Sequence, residues 1–121
     1  MEIIGSGIDI VEVKRLRRTI KRWGDQFLRR VFTETEMKYA GNRRALYEHL
    51  AGRFAAKEAI IKATNVGELA FTDIEIINNK TGKPCATIIN KKSANKKYAI
   101  SVSISHIKDY AVANAVVTTK D

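Results

Sequence analysis

Apolar positions recur at helical spacing in the first half of this chain and alternate along the second half. Residues 50–63, LAGRFAAKEAIIKA, carry no Gly or Pro after Gly52 and are rich in Ala, Lys and Glu. That composition predicts a central helix, ending near Asn65 to Gly67. Leu50, Phe54 and Ile61 mark one side of it, Glu58 falls at the margin of that side, and Lys62 follows one turn later. Met1 to Ile10 reads as a strand with Gly5 and Gly7 flanking Ser6. Asp9-x-x-Glu12 fits an N-cap box for a helix from Glu12 to Trp23. Leu16, Ile20, Trp23 and Phe27 keep helical spacing and are expected to face a core. Gly24 is a helix stop, and Asp25 caps a short helix with Phe27 inward and Arg29 and Arg30 outward. Thr33-Glu34-Thr35-Glu36 is a capping box, so a third helix should run from Glu34 to Ala40, ended by Gly41-Asn42. Arg43 to Glu48 then leads into the central helix.

Strands follow. Phe71 to Ile77 alternates, Asn78 to Pro84 (NNKTGKP) is a turn, and Cys85 to Asn90 is the return strand. Lys91 to Lys97 is a basic loop. Tyr98 to His106 alternates cleanly, Ile107-Lys108-Asp109 turns, and Tyr110 to Val117 is the last strand. Its Ala111, Ala113 and Ala115 share one face, opposite Tyr110, Val112 and Val116. A face of small residues lets a helix or another subunit pack closely. Helices early and antiparallel strands late give an α+β fold, read as a single domain over residues 1–121.

Composition narrows the function. No apolar run approaches the roughly 18 residues of a membrane span, so no membrane partner is expected. The N-terminus lacks the charged and apolar regions of a signal peptide. Cys85 is the only cysteine, which excludes an intrachain disulfide and a cysteine-based metal site and suits a cytoplasmic location. Lys and Arg number 22 against 13 Asp and Glu, a formal net charge of +9, which calls for an acidic partner. Six of those cations, Lys14, Arg15, Arg17, Arg18, Lys21 and Arg22, lie on the first helix without an acid among them.

Walker, GxSxG and HExxH motifs are absent. Asp9 and Glu58 remain, each at the edge of an apolar element, with Arg53, Lys57 and Lys62 on the central helix. Read as structure, Asp9 is a helix cap and Glu58–Lys62 a solvated pair worth a few tenths of a kcal/mol. Read as chemistry, two carboxylates with flanking cations suit Mg²⁺ and a phosphorylated substrate, because Mg²⁺ keeps waters and borrows substrate oxygens. His106 closes a strand at a turn and is compatible with a packing or a binding role.

The same residues carry a family resemblance. GIDIVEVKRL (7–16) and LAGRFAAKEAIIKA (50–63) resemble the two signatures of bacterial holo-acyl-carrier-protein synthases, the group I 4′-phosphopantetheinyl transferases. RRVFTETEM (29–37), FTDIEI (71–76), GKP (82–84) and SVSISH followed by YAVA (101–113) resemble further blocks in the same order. The resemblance implies an antiparallel sheet packed on a long central helix. It implies Mg²⁺-dependent transfer of the phosphopantetheine arm of coenzyme A to a serine of apo acyl carrier protein, releasing 3′,5′-ADP, within fatty acid biosynthesis. Asp9 and Glu58 would hold Mg²⁺. Lys62 would contact the phosphates, completing a catalytic set of Asp9, Glu58 and Lys62. Arg53, Lys57, Gly82, Lys83, Pro84, Ser105 and His106 would surround coenzyme A. Glu58 and a metal-bound water are the two candidates for taking the serine proton. Arg15, with Arg18, Arg22 and Arg30, would face the acidic carrier. The site would lie between subunits of a homotrimer.

One stretch departs from the pattern: Thr64-Asn65-Val66-Gly67-Glu68 stands where the family has an aromatic and a Gly-Thr-Gly loop. The alternative from another class is a basic RNA- or DNA-binding module. It would interleave exposed aromatics with its cations, whereas Trp23 and Phe27 follow the apolar stripe, so no nucleic-acid partner is expected.

Overall fold

The chain wraps around one helix in the computed structural model, which describes residues 1–41, 44–64, 69–89 and 98–120. Strand β1 (Ile3–Glu12) runs into α1 (Val13–Trp23), α2 (Asp25–Val31), α3 (Glu34–Ala40) and the central α4 (Leu46–Thr64). A 3₁₀ turn (Phe71–Asp73) opens the strand half, β2 (Ile74–Asn78), β3 (Pro84–Ile88), β4 (Tyr98–His106) and β5 (Tyr110–Thr119). Strands β1, β5 and β4 form an antiparallel sheet in that order, and β2 pairs with β3 in a second, two-stranded one.

Sheet and helix touch almost backbone to backbone. A Cβ at Gly7 would overlap the carbonyl oxygen of Ala59, and one at Gly5 that of Ala63, so only glycine admits this approach. From β5, Ala111, Ala113, Ala115 and Val117 are buried, as are Ala55, Ala56, Ala59, Ile60 and Ala63 of α4. The small face of β5 is therefore filled by the chain's own central helix, not by a neighbouring subunit. A second apolar cluster joins Val13, Leu16 and Ile20 of α1 to Val31, Phe32, Leu50 and Ala51. Covered on both sides, α4 buries Ala51, Ala55, Ala59 and Ala63 completely, whereas Phe54 and Ile61 are only half-buried. The side expected from Leu50, Phe54 and Ile61 is thus not the principal buried one. Ala reaches the core because close packing needs short side chains, which a hydrophobic stripe does not reveal.

Other boundaries move for identifiable reasons. Asp9 does not cap α1: it lies within β1 opposite Ala113, and β1 continues to Glu12 opposite Tyr110. Glu12 precedes α1 with extended dihedrals and no side-chain cap bond, and Val13 N–H donates to Asp109 O at 2.9 Å. Gly24, at φ 55°, ends α1 and also precedes α2, so Asp25 is the first residue of α2 rather than its cap. Trp23 is 52% exposed instead of facing the core; it is the last residue of α1, which Gly24 ends at φ 55°. The expected strand from Phe71 begins only at Ile74, since Asp73 accepts the Ala70 N–H at 2.8 Å and closes a turn. The capping box at Thr33 and Glu36 forms with both of its bonds. The expected loop Lys91–Lys97, the helix stop at Asn65–Gly67 and the departure at 65–68 lie outside the described residues.

Candidate active site

Asp9 reaches the site from the middle of β1, on the strand face turned to α4. Glu58 and Lys62 reach it from α4, one turn apart, because Gly5 and Gly7 let the helix settle against β1. The Glu58–Lys62 pair expected from i,i+4 spacing does not form. Lys62 Nζ donates instead to Asp9 Oδ1 at 3.2 Å and to Ile8 O at 3.1 Å, leaving one N–H for a ligand. Among the described residues Glu58 has no ion-pair partner. Burial pushes its carboxyl above the usual carboxylate range, the Asp9 charge pushes it further, and Lys62 opposes the shift. Two carboxylates that repel each other at the edge of a core are a set that a divalent cation would relieve. Among the described residues no three His, Cys, Asp or Glu side chains cluster, so a cation here would complete its shell with water and substrate oxygens.

Asp9 also lines a groove of about 470 Å³ with Glu12, Arg15, Phe27, Phe54 and Tyr110, so the structure brings Asp9 and Arg15 together. A second groove of about 380 Å³ shares Phe27 and Thr19 with it and is rimmed by Trp23 and Arg30. Arg22 stacks over the Trp23 ring at 5.2 Å, and Arg18 lies 3.8 Å from Glu12. An exposed aromatic with a stacked arginine removes the argument against nucleic acid that rested on a buried Trp23.

A separate cavity of about 290 Å³ gathers Arg53, Gly82, Pro84 and His106, adding His49 and Asn78, which spacing alone does not suggest. Asn78 Oδ1 accepts from Arg53 at 2.5 Å. Lys83 lines a neighbouring groove with Pro84 and Ser101. Ser105 is exposed on β4 opposite Val112 and does not line the Arg53 cavity. Arg53 precedes Glu58 by five residues on α4, which separates them by roughly 7 Å along the axis and about 140° around it. The Arg53 cavity and the groove of Asp9 share no lining residue.

Lys57 lies apart from both. It is fully buried, and its ammonium donates to Glu36 Oε1 at 2.5 Å, Val31 O at 2.7 Å and Phe71 O at 3.1 Å. All three hydrogens are used within the chain, so this ammonium has none left for coenzyme A. Burial lowers its pKa below the ordinary lysine range, and Glu36 opposes that shift. By its spacing from Thr33, Glu36 is only a capping residue. The clue to more is Lys57 itself, set among Ala55, Ala56 and Ala59, where a buried cation needs an anion.

Known proteins share this architecture. The family model described as the 4′-phosphopantetheinyl transferase superfamily matches residues 5–115. A protein named holo-[acyl-carrier-protein] synthase from Clostridium tetani is 44% identical over 95% of either chain. One of the same name from Oceanobacillus iheyensis is 45% identical over 98% of this chain and 99% of its own. Among solved structures, a holo-(acyl-carrier-protein) synthase from Bacillus anthracis str. Ames in complex with CoA (3′,5′-ADP) superposes with a TM-score of 0.85. It is 37% identical and covers 99% of this chain and 100% of its own. A Helicobacter pylori holo-[acyl-carrier-protein] synthase in complex with coenzyme A gives 0.82 at 36% identity, covering 93% of this chain and 99% of its own. No helix of the described residues is long and apolar enough to cross a membrane. With the family model spanning nearly the whole chain and the α+β architecture superposing on these synthases, this protein belongs to the 4′-phosphopantetheinyl transferase superfamily.

Proposed function

We propose that the chain is a holo-acyl-carrier-protein synthase. It transfers the 4′-phosphopantetheine of coenzyme A to a serine of apo acyl carrier protein and releases 3′,5′-ADP. The observation that carries this reading is Asp9, Glu58 and Lys62 converging from β1 and α4 beside a groove rimmed by Arg15. Relatives and solved structures that bear the synthase name, two of them with coenzyme A, support it.

Asp9 and Glu58 would hold Mg²⁺, which supplies charge neutralisation at the pyrophosphate when bound. Lys62 offers its remaining N–H to a phosphate oxygen and stabilises charge there. The serine oxygen attacks the phosphorus next to pantetheine, and the bond from that phosphorus to the bridging oxygen breaks. Glu58 and a water beside the metal are the two groups placed to accept the serine proton. Arg53, Gly82, Pro84 and His106 would bind the nucleotide end, and a neighbouring chain would supply the other half of the site. A homotrimer fits this division. Ile8 and Ile10, both 66% exposed, and Tyr110, 45% exposed, make the outer face of the sheet apolar enough to be covered. A cytoplasmic role in fatty acid biosynthesis belongs to the same proposal.

The test is the mass of an apo carrier protein incubated with the protein, coenzyme A and Mg²⁺. The carrier gains one phosphopantetheine, and a chelator stops the gain. In the same assay Arg15→Glu with Arg22→Glu weakens carrier binding and leaves coenzyme A binding unchanged. A nucleic-acid module would lose oligonucleotide affinity instead, and that outcome sinks the enzyme reading.

A further inference from the structure

We infer that Lys57 and Glu36 are a positioning pair for the carrier acceptor, holding α2 in register with Glu58; this rests on the transfer reaction proposed above. Five parts of the chain meet at the pair. Lys57, from α4, donates to Val31 O, the last residue of α2, and to Phe71 O at the 3₁₀ turn. Glu36, from α3, accepts from Thr33 N–H at 2.8 Å and, through Oε2, from Ile76 N–H of β2 at 2.8 Å. Glu36 is 4% exposed and Lys57 0%, and among the described residues no buried side-chain polar atom lacks a partner. A fully satisfied buried network has one low-energy arrangement, so it fixes the elements it joins.

Those elements bear on acceptor docking. Lys57 and Glu58 are consecutive on a rigid helix, while Val31 follows Arg30 directly. The carbonyls at a helix C-terminus have no partner within the helix, and the Lys57 ammonium supplies one for α2. Phe27 of α2 lines both grooves beside α1 and packs on Phe54, with ring centroids 6.1 Å apart. The Lys57–Val31 bond thus sets where Phe27 and Arg30 stand relative to Glu58. The Arg53 cavity does not include Lys57 or α2. Loss of the pair should therefore be felt by the carrier and not by coenzyme A.

The experiment uses the full chain with Glu36→Gln and Lys57→Met together, which leaves no buried unpaired charge. Steady-state rates are measured against apo carrier and against coenzyme A, beside wild type and a control, Val102→Ala, that loosens the core under β4. The KM for carrier is expected to rise about tenfold to a hundredfold, as small displacements of docking groups do. The KM for coenzyme A stays within about twofold. A milder variant, Thr33→Val, keeps the pair but removes the hydroxyl that accepts from Glu36 N–H and donates to Glu75 Oε2 at 2.7 Å, loosening the start of α3; it raises the carrier KM less, in the same direction. It provides the readout should the double variant fail to fold. An unchanged carrier KM, an equal rise for coenzyme A, or an equal effect in Val102→Ala overturns the inference. Absence of transfer by wild type overturns the functional reading beneath it, so the two failures are told apart.

Discussion

Lys57 and Glu58 are neighbours in sequence, and the fold treats them in opposite ways. Lys57 loses all contact with water and receives three hydrogen-bond acceptors, one of them a carboxylate. Glu58 is only partly buried, yet among the described residues it has no ion-pair partner and faces the like charge of Asp9. The deep charge is compensated and the shallow one is not. The difference teaches how to tell a structural ionisable group from one held for chemistry. Burial of a charge is tolerated where every hydrogen bond is met. A carboxylate left under-compensated beside another is costly, and such costs gather at functional sites.

The largest effect expected from breaking this contrast is on stability, at Lys57. Lys57→Met leaves the Glu36 carboxylate buried without its cation, and should cost about 3–5 kcal/mol in a urea titration. A loss below about 1 kcal/mol, as for exposed pairs, would show that the pair is not buried in solution. Next comes Glu58→Gln, which should leave folding intact and reduce transfer about a hundredfold to a thousandfold in the carrier mass assay. Asp9→Asn should behave alike, since Asp9 lies inside β1 and caps nothing. Full activity in either variant would place the chemistry elsewhere.

Assembly offers a further division. Ala113→Glu puts a charge into the packed α4–β5 contact and should unfold the chain rather than separate subunits. Ile8→Glu changes only the exposed face, and should yield a folded, inactive monomer by light scattering and circular dichroism. An active monomer would contradict a site shared between chains.

The smallest expected effect is on pH dependence. Because the folded state holds the Glu58 proton more tightly than the unfolded state, stability falls as pH rises through the window between the two values. Glu58→Gln escapes that loss. Without metal it should melt slightly higher than wild type at neutral pH, and no higher at a pH below the ordinary carboxylate range. Addition of Mg²⁺ should raise the wild-type midpoint and move that of the variant less. A variant that melts lower at neutral pH would show that Glu58 carries a stabilising contact.

Much of this is legible in the chain. The α+β order, the capping box at Thr33 and Glu36, the alternation of Tyr98 to His106 and the grouping of Asp9 with Glu58 and Lys62 can all be read from the residues alone. Local signals fix the first three, since cap chemistry and strand periodicity depend on neighbours in sequence. The family signatures at 7–16 and 50–63 carry the fourth, and they fall on β1–α1 and α4, where the candidate site forms.

What the sequence could not decide was which side of each element meets which partner. The alanines of β5 could have faced a helix or a subunit, and only the approach of α4 to Gly5 and Gly7 settled on the helix. Trp23 follows the stripe but lies outside, at the last residue of α1 where Gly24 ends the helix. On a helical wheel Lys57 and Glu58 both fall near the margin of the side marked by Leu50, Phe54 and Ile61, and nothing there separates a strut from an uncompensated charge. Glu36 lies 21 residues from Lys57, and Asp9 meets Lys62 across 53. Such contacts depend on how helices and sheet pack, and no periodicity within one element encodes that. Local spacing and composition fix the order of the elements and the groups they carry. Packing made Lys57 a fully bonded strut and left Glu58 partly exposed beside Asp9, because burial and partnership come from how elements meet and not from the residue.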